Sequence, residues 1–219
     1  MNTPVVTVVI PTHNSECFLR ETLDSVMAQT FKNYEVVVVD DASTDDTVRL
    51  VEQYGDRIRL VRRSVNSRTA DVPRYEGVEQ GRGKYCALLD SDDVWLPEKL
   101  NKQVAFMEAH PEIPLSHTSV TMIDEQSKPL YVRHSGVIPA TGSCARELLR
   151  HCFISTSSVM VRREAWLRAQ RKEDLKTYGT EWDFFLSIAR AHPVGFIPEP
   201  LAQYRVGSEI GRASCRERV

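Results

Sequence analysis

The chain has 219 residues, a formal net charge of −2 and 42% hydrophobic residues, with a pI near 6.3. That length can bury one sizeable core, and the near-neutral charge supplies neither a nucleic-acid face nor a polybasic membrane anchor. Five cysteines without C-x-x-C spacing argue for a reducing compartment and against a zinc site. No apolar run approaches the roughly 20 residues of a membrane span, and Met1-Asn2-Thr3-Pro4 does not open a signal peptide. The expected location is therefore cytoplasmic.

Residues 5–10 are apolar except Thr7 and end at Pro11, as a buried strand would. A polar loop from Thr12 to Ser15 follows, in which Asn14 or Ser15 can cap a helix reaching about residue 29. Leu19, Leu23, Val26 and Thr30 fall at helical spacing. Residues 35–39 carry four consecutive valines and read as a second strand ending at Asp40-Asp41. A second helix bears Val48, Val51 and Tyr54 as a stripe, and residues 58–61 form a third strand. Residues 70–80 have helical character, with Pro73 disturbing the start.

Gly81-Arg82-Gly83-Lys84 superficially resembles a phosphate loop, but it precedes a strand instead of opening a helix and reads as a turn. The fourth strand, Tyr85-Cys86-Ala87-Leu88-Leu89, stops at Asp90-Ser91-Asp92-Asp93, three carboxylates within four positions. A helix after Pro97 runs to about residue 109, with Leu96, Leu100, Val104 and Met107 on one face. Beyond residue 112 the pattern shifts to short strands at 116–123, 130–133 and 158–161, then a helix over 180–190 with an acidic first turn.

Repeated strand–helix alternation with near-continuous apolar strands predicts an α/β fold: a doubly wound, mostly parallel sheet with helices on both faces. Neither G-x-G-x-x-G nor G-x-x-x-x-G-K-[ST] follows the first strand. Ligands bind at the carboxyl edge of such sheets, which is where Asp90, Ser91 and Asp92 fall. Crowded carboxylates repel one another unless a cation or solvent neutralises them. Hard cations such as Mg²⁺ or Mn²⁺ take carboxylate oxygens and leave positions for phosphate. The plainer reading is an acidic turn in which Asp92 or Asp93 caps the next helix. Asp40 and Asp41 can likewise merely end a strand, and Glu181 can be a helix N-terminal charge. Trp182, Phe184 and Phe185 suit the core, although Trp182 could also stack on a sugar.

Several spaced stretches carry a resemblance. Val8-Val9-Ile10-Pro11-Thr12-His13-Asn14, Gln29-Thr30-Phe31, residues 35–47, Leu89-Asp90-Ser91-Asp92-Asp93 and Pro97 resemble the family 2 glycosyltransferases of the GT-A fold, in order and to about Arg205. The resemblance implies metal-dependent, inverting sugar transfer from a nucleotide-diphosphate donor, a UDP-sugar first, to a saccharide or lipid-linked acceptor in polysaccharide or glycolipid synthesis. Peripheral association with the inner membrane face would accompany it. It implies that Pro11, Thr12 and Asn14 line the nucleotide site and that Asp41 accepts a hydrogen bond from the base. Arg74 would approach the diphosphate, Asp90 and Asp92 would hold Mn²⁺ or Mg²⁺, and Glu181 would act as base. The chain departs from the family pattern at Thr180, which stands before the base Glu, at Tyr75 in place of Asn, and at Gly207 where a metal-reaching His is common. Residues 1–111 are the expected nucleotide-sugar half and 112–207 the acceptor half, a small subregion of the same domain. Residues 208–219 read as a cloning-derived tail. A sugar-nucleotide-binding domain without turnover and a nucleotidyltransferase are the alternatives.

Overall fold

The computed structural model describes residues 3–133, 141–170 and 180–207; the expected tail lies outside them. The elements are β1 (Val6–Thr12), α1 (Leu19–Met27), β2 (Tyr34–Asp40), α2 (Thr47–Glu52), β3 (Arg59–Arg62), α3 (Asp71–Gln80), β4 (Tyr85–Leu88), β5 (Val94–Trp95) and α4 (Lys99–Ala109). They continue as β6 (Leu115–Ile123), β7 (Pro129–Arg133), β8 (Thr141–Gly142), α5 (Ala145–Leu148), β9 (Met160–Arg162), α6 (Arg163–Ala169), α7 (Thr180–Ala191) and β10 (Val194–Arg205).

The strands form a single sheet in the order β3-β2-β1-β4-β9-β6-β10-β5, with β7 on β6 and β8 on β10. The first four strands are parallel. β9 is antiparallel to both its neighbours, so the second half is mixed, and β6 and β10 form a further parallel pair. Strands from both halves of the sequence share this sheet.

Alternation along each strand divides the core between two faces. On one face Val6, Val8 and Ile10 of β1 pack with Leu19, Leu23 and Val26 of α1, Leu50 and Val51 of α2, and Leu100 and Met107 of α4. On the other, Val9, Cys86 and Leu88 meet Val78 of α3, Leu148 of α5, Trp166 of α6, and Phe184 and Phe185 of α7. Each fully buried Leu or Val contributes about 1.5–3 kcal/mol by leaving water.

Several local expectations shift. Leu50, more than Val48, completes the α2 stripe. Pro73 is the third residue of α3, where an amide would have no helical acceptor, so it fits the first turn. Asn14 and Ser15 do not cap α1, which starts at Leu19 without a side-chain cap. Asp92 and Asp93 do not cap α4 either, because β5 intervenes and the helix begins at Lys99. β10 is an addition. Pro198 and Pro200 interrupt its sequence pattern, and the strand absorbs them through register shifts between Ile197 and Pro200 and between Pro200 and Ala202.

The turn before β4 is fixed by close approach. Gly83 donates its amide to Thr7 Oγ1 at 2.9 Å. A Cβ there would sit 2.5 Å from the Thr7 amide nitrogen and 2.7 Å from the Val6 carbonyl carbon. Only glycine lets β4 enter beside β1 at that distance.

Candidate active site

Strand order reverses between β1 and β4: the chain winds outward to β3 and returns to the far side of β1. The carboxyl ends at such a switch point leave a crevice. Here it is a cleft of about 510 Å³, walled by Pro11, Thr12 and His13 after β1, Asp41 after β2, and Asp90, Ser91 and Asp92 after β4. Asn66, Arg68, Thr69, Ala70 and Pro73, following β3, form one rim, and Tyr204 near the end of β10 closes another side.

Asp41 organises the rim. Its Oδ1 accepts from Arg63 Nε at 2.6 Å, and its Oδ2 accepts from the amide and hydroxyl of Ser67 at 2.9 and 2.7 Å. Its carbonyl accepts from Asn66 Nδ2 at 3.2 Å and from His13 Nδ1 at 2.9 Å. Arg63 also pairs with Glu76 of α3. The loop 63–70 is thus drawn over the cleft by one carboxylate. Asn14, Ala42 and Arg68 have φ of 49°, 60° and 63°, the left-handed region that costs a residue with a Cβ about 1–2 kcal/mol. Asn14 stabilises its own turn: its amide donates to Ser43 Oγ at 2.9 Å, and its Oδ1 accepts from the Thr44 amide at 2.8 Å.

At the opposite wall, the Asp90 carboxylate accepts from Arg74 Nη2 at 2.8 Å, and its backbone amide donates to Ser157 Oγ at 3.0 Å. Ser91 Oγ lies 2.8 Å from Ser15 Oγ, and Thr22 Oγ1 donates to the carbonyls of Ser91 and Asp93 at 3.0 and 2.8 Å. Asp93 is buried, accepting from Ser157 Oγ at 2.5 Å and from the Arg205 amide at 2.9 Å. Burial, with opposing help from Arg74 and a further push from Asp92, leaves Asp90 above the usual carboxylate range. Burial and the charges of Asp92 and Asp90 push Asp93 well up. Burial together with these three carboxylates raises Tyr204 to about 12.

The cleft floor therefore carries an excess of negative charge that a cation would relieve. Asp90 and Asp92 offer hard oxygen ligands. Among the described residues no group of three or more His, Cys, Asp or Glu side chains is arranged to hold a metal without help. Two carboxylates with the remaining positions left to water and phosphate oxygens is a donor set suited to Mg²⁺ or Mn²⁺, and unsuited to a closed structural site. Thr12 Oγ1 and Asp40 Oδ1, on residues paired across β1 and β2, are buried without a hydrogen-bond partner.

Glu181, in the first turn of α7, reaches the same wall through Arg74. The Arg74 side chain is 1% exposed and pairs with Asp71 at 3.1 Å, Asp90 at 2.8 Å and Glu181 at 2.5 Å. Arg74 pulls the Glu181 carboxyl down, but burial and the charges of Asp90 and Asp71 outweigh it, and the net shift is upward. A raised carboxylate is the stronger proton acceptor once ionised.

Pro11, Thr12, Asp41, Asp90, Ser91 and Asp92 thus share one cleft, and Glu181 is joined to it by an ion pair. Two expected donor residues do not line this cleft. Arg74 is buried with its guanidinium paired to Asp71, Asp90 and Glu181. The Asn14 side chain faces the 43–44 loop instead of the cleft. Arg63, Asn66 and Ser67 were not singled out by the sequence; their partners Glu76 and Asp41 are 13 to 26 positions away. Phe184 and Phe185 are core, whereas Trp182 is 39% exposed and donates Nε1 to the Leu148 carbonyl at 2.6 Å.

A family model for glycosyl transferase family 2 matches residues 7–169. A glycosyltransferase of Rickettsia felis is 32% identical over 92% of this chain, which spans 33% of that relative's length. A Bacillus subtilis protein described as the putative teichuronic acid biosynthesis glycosyltransferase TuaG is 32% identical over 93% of this chain and 79% of its own length. In shape the chain is similar to Staphylococcus aureus TarS 1-349 in complex with UDP-GlcNAc, with a TM-score of 0.72, 22% identity and coverage of 95% of this chain and 61% of that one. It is also similar to the mannosyltransferase PcManGT of Pyrobaculum calidifontis in complex with GDP-Man and Mn²⁺, with a TM-score of 0.70, 18% identity and coverage of 95% and 59%. The curled α/β sheet is accordingly that of the GT-A glycosyltransferases. With motifs, sheet order and family match in agreement, the chain belongs to glycosyl transferase family 2.

Proposed function

We propose that this chain transfers a sugar, with inversion, from a nucleoside-diphosphate donor, a UDP-sugar first, to a hydroxyl of a saccharide or lipid-linked acceptor. The observation that carries this reading is the convergence of Asp41, Asp90 and Asp92 on one cleft, with Glu181 bound to the arginine that also grips Asp90. The nucleotide lies between Pro11, Thr12 and Asp41, with residues 66–70 over it. Asp90 and Asp92 hold Mn²⁺ or Mg²⁺, which, when bound, offsets the negative charge growing on the departing diphosphate. Residues 1–111 serve the donor and 112–207 the acceptor. TuaG's description supports a polysaccharide acceptor, and an acceptor carried on lipid places the work at the inner face of a membrane. Among the described residues no helix is long and apolar enough to cross one.

Glu181 faces the transfer from the acceptor side. Its carboxylate takes the proton of the attacking hydroxyl as the new C–O bond forms at the anomeric carbon and the bond to the diphosphate oxygen breaks. Attack opposite the leaving group inverts that carbon. Such a base contributes typically about 10²–10⁴-fold. Arg74 keeps Glu181 ionised and oriented by its ion pair, and keeps Asp90 turned toward the cleft. Calorimetry with UDP tests the reading. Binding is expected to strengthen with Mn²⁺ and to lose that gain in Asp92→Ala. Tight UDP binding indifferent to both Mn²⁺ and Asp92 refutes it. Binding without transfer to any acceptor would instead favour a sugar-nucleotide-binding domain.

A further inference from the structure

Arg205, the last residue of β10, has a fully buried side chain whose ion pair is with Glu21 of α1. Its Nε donates to the carbonyl of Asp92 at 2.8 Å, while its backbone amide donates to Asp93 Oδ1 at 2.9 Å. One residue therefore grips two successive positions of the acidic loop. The other end of the guanidinium reaches across the turn between β6 and β7: Nη1 donates to the carbonyl of Asp124 at 2.9 Å and to Ser127 Oγ at 3.0 Å. Nη2 pairs with Glu21 of α1 at 2.7 Å. The guanidinium carbon stands 4.4 Å from the centre of the Phe18 ring. Ser127 has φ of 62°, and its hydroxyl also donates to Glu21 at 2.7 Å. Glu21, Ser127 and Arg205 form a closed triangle.

The ion pair is a poor account of this arrangement. Glu21 is 43% exposed, and an ion pair with one partner in water contributes little. The neutral acceptors explain it better. A planar guanidinium can hold the Asp92 carbonyl on one edge and the β6–β7 turn on the other, which the compact ammonium of lysine cannot do. Fixing the Asp92 carbonyl and the Asp93 carboxylate on either side of one peptide sets the direction in which the Asp92 Cα–Cβ bond leaves the backbone at the cleft wall.

We propose that Arg205 is a positioning residue for the cation-binding loop, holding Asp92 ready for the metal by fixing its backbone from behind. This rests on the reading of Asp90 and Asp92 as cation ligands. Outer partners that orient a metal ligand are worth about 10–100-fold in metal affinity.

The test compares UDP affinity by calorimetry with Mn²⁺ and with EDTA, alongside Mn²⁺ binding by electron paramagnetic resonance and the melting temperature. Arg205→Lys is expected to lose about 10–100-fold of the Mn²⁺-dependent gain while its affinity in EDTA stays near wild type. The double variant Glu21→Gln, Ser127→Ala frees the far edge of the guanidinium without emptying the core, and is expected to lose roughly 3–10-fold of the same gain by the same reasoning. It serves where Arg205→Lys does not fold. Either folded variant retaining the full wild-type gain overturns the proposal. A wild-type protein with no Mn²⁺-dependent gain overturns the proposed function itself, a result read before any substitution is made.

Discussion

Replacing Arg74 by methionine would keep most of the side-chain volume and remove one positive charge shared by three carboxylates. Breaking a buried ion pair from one side costs about 3–5 kcal/mol, because the remaining charge stays behind without compensation. The surroundings set where in that range Arg74→Met falls. The arginine side chain is 1% exposed, but Asp90 is 28% and Glu181 37% exposed, so both can recover water, while Asp71 at 9% cannot. We expect a loss near 3 kcal/mol at pH 7, or roughly 6–12 °C in melting temperature for a chain of this size. The loss should depend on pH with a defined sign. Arg74 lowers the carboxyls of both Asp90 and Glu181, which already sit above their ordinary values. Without it they rise further, so the folded variant binds protons that the unfolded chain, with carboxyls near 4, does not. Stability of the variant relative to wild type then recovers as pH falls from 7 toward about 4. Urea denaturation at pH 7, 6 and 5 measures this. A loss under about 1 kcal/mol, or one that grows on acidification, would refute the argument that Arg74 neutralises these carboxylates.

Glu181→Gln is expected to lower transfer by about 10²–10⁴-fold with donor affinity changed only a few-fold, as read by initial rates beside calorimetry. Because the base must be ionised and its pKa is raised above the ordinary 4.5, wild-type kcat should fall as pH drops through a midpoint above that value, and Glu181→Gln should lack this limb. Gly83→Ala should destabilise the fold at the upper end of the about 1–3 kcal/mol typical of overpacking, because the new methyl meets the backbone of Val6 and Thr7 instead of a side chain that can yield; urea midpoints decide. Ala42→Gly should be stabilising by roughly 0.5–1 kcal/mol, the left-handed strain at φ 60° removed less the added entropy of glycine. A melting temperature that falls would contradict it.

Sequence alone determined the first half of this protein to within a few residues, because its signals are local. Four consecutive valines, a leucine stripe at helical spacing and an apolar run cut off by Asp90 each specify an element without reference to distant residues. The carboxyl-edge position of Asp41, Asp90 and Asp92 follows from the same reading, since a parallel sheet puts strand ends on one edge. What tertiary structure decided is which charge answers which. The resemblance places Arg74 near the diphosphate, but only the fold pairs its guanidinium with Asp71, Asp90 and Glu181. Asp93 reads as a helix cap and becomes a buried tie to Ser157 and Arg205. β10 was hidden by two prolines, which its pairing with β6 absorbs through shifts of register. The physical reason is common to all three. Periodicity records burial one residue at a time, whereas charge compensation and strand pairing are settled between segments that meet only when the chain is folded.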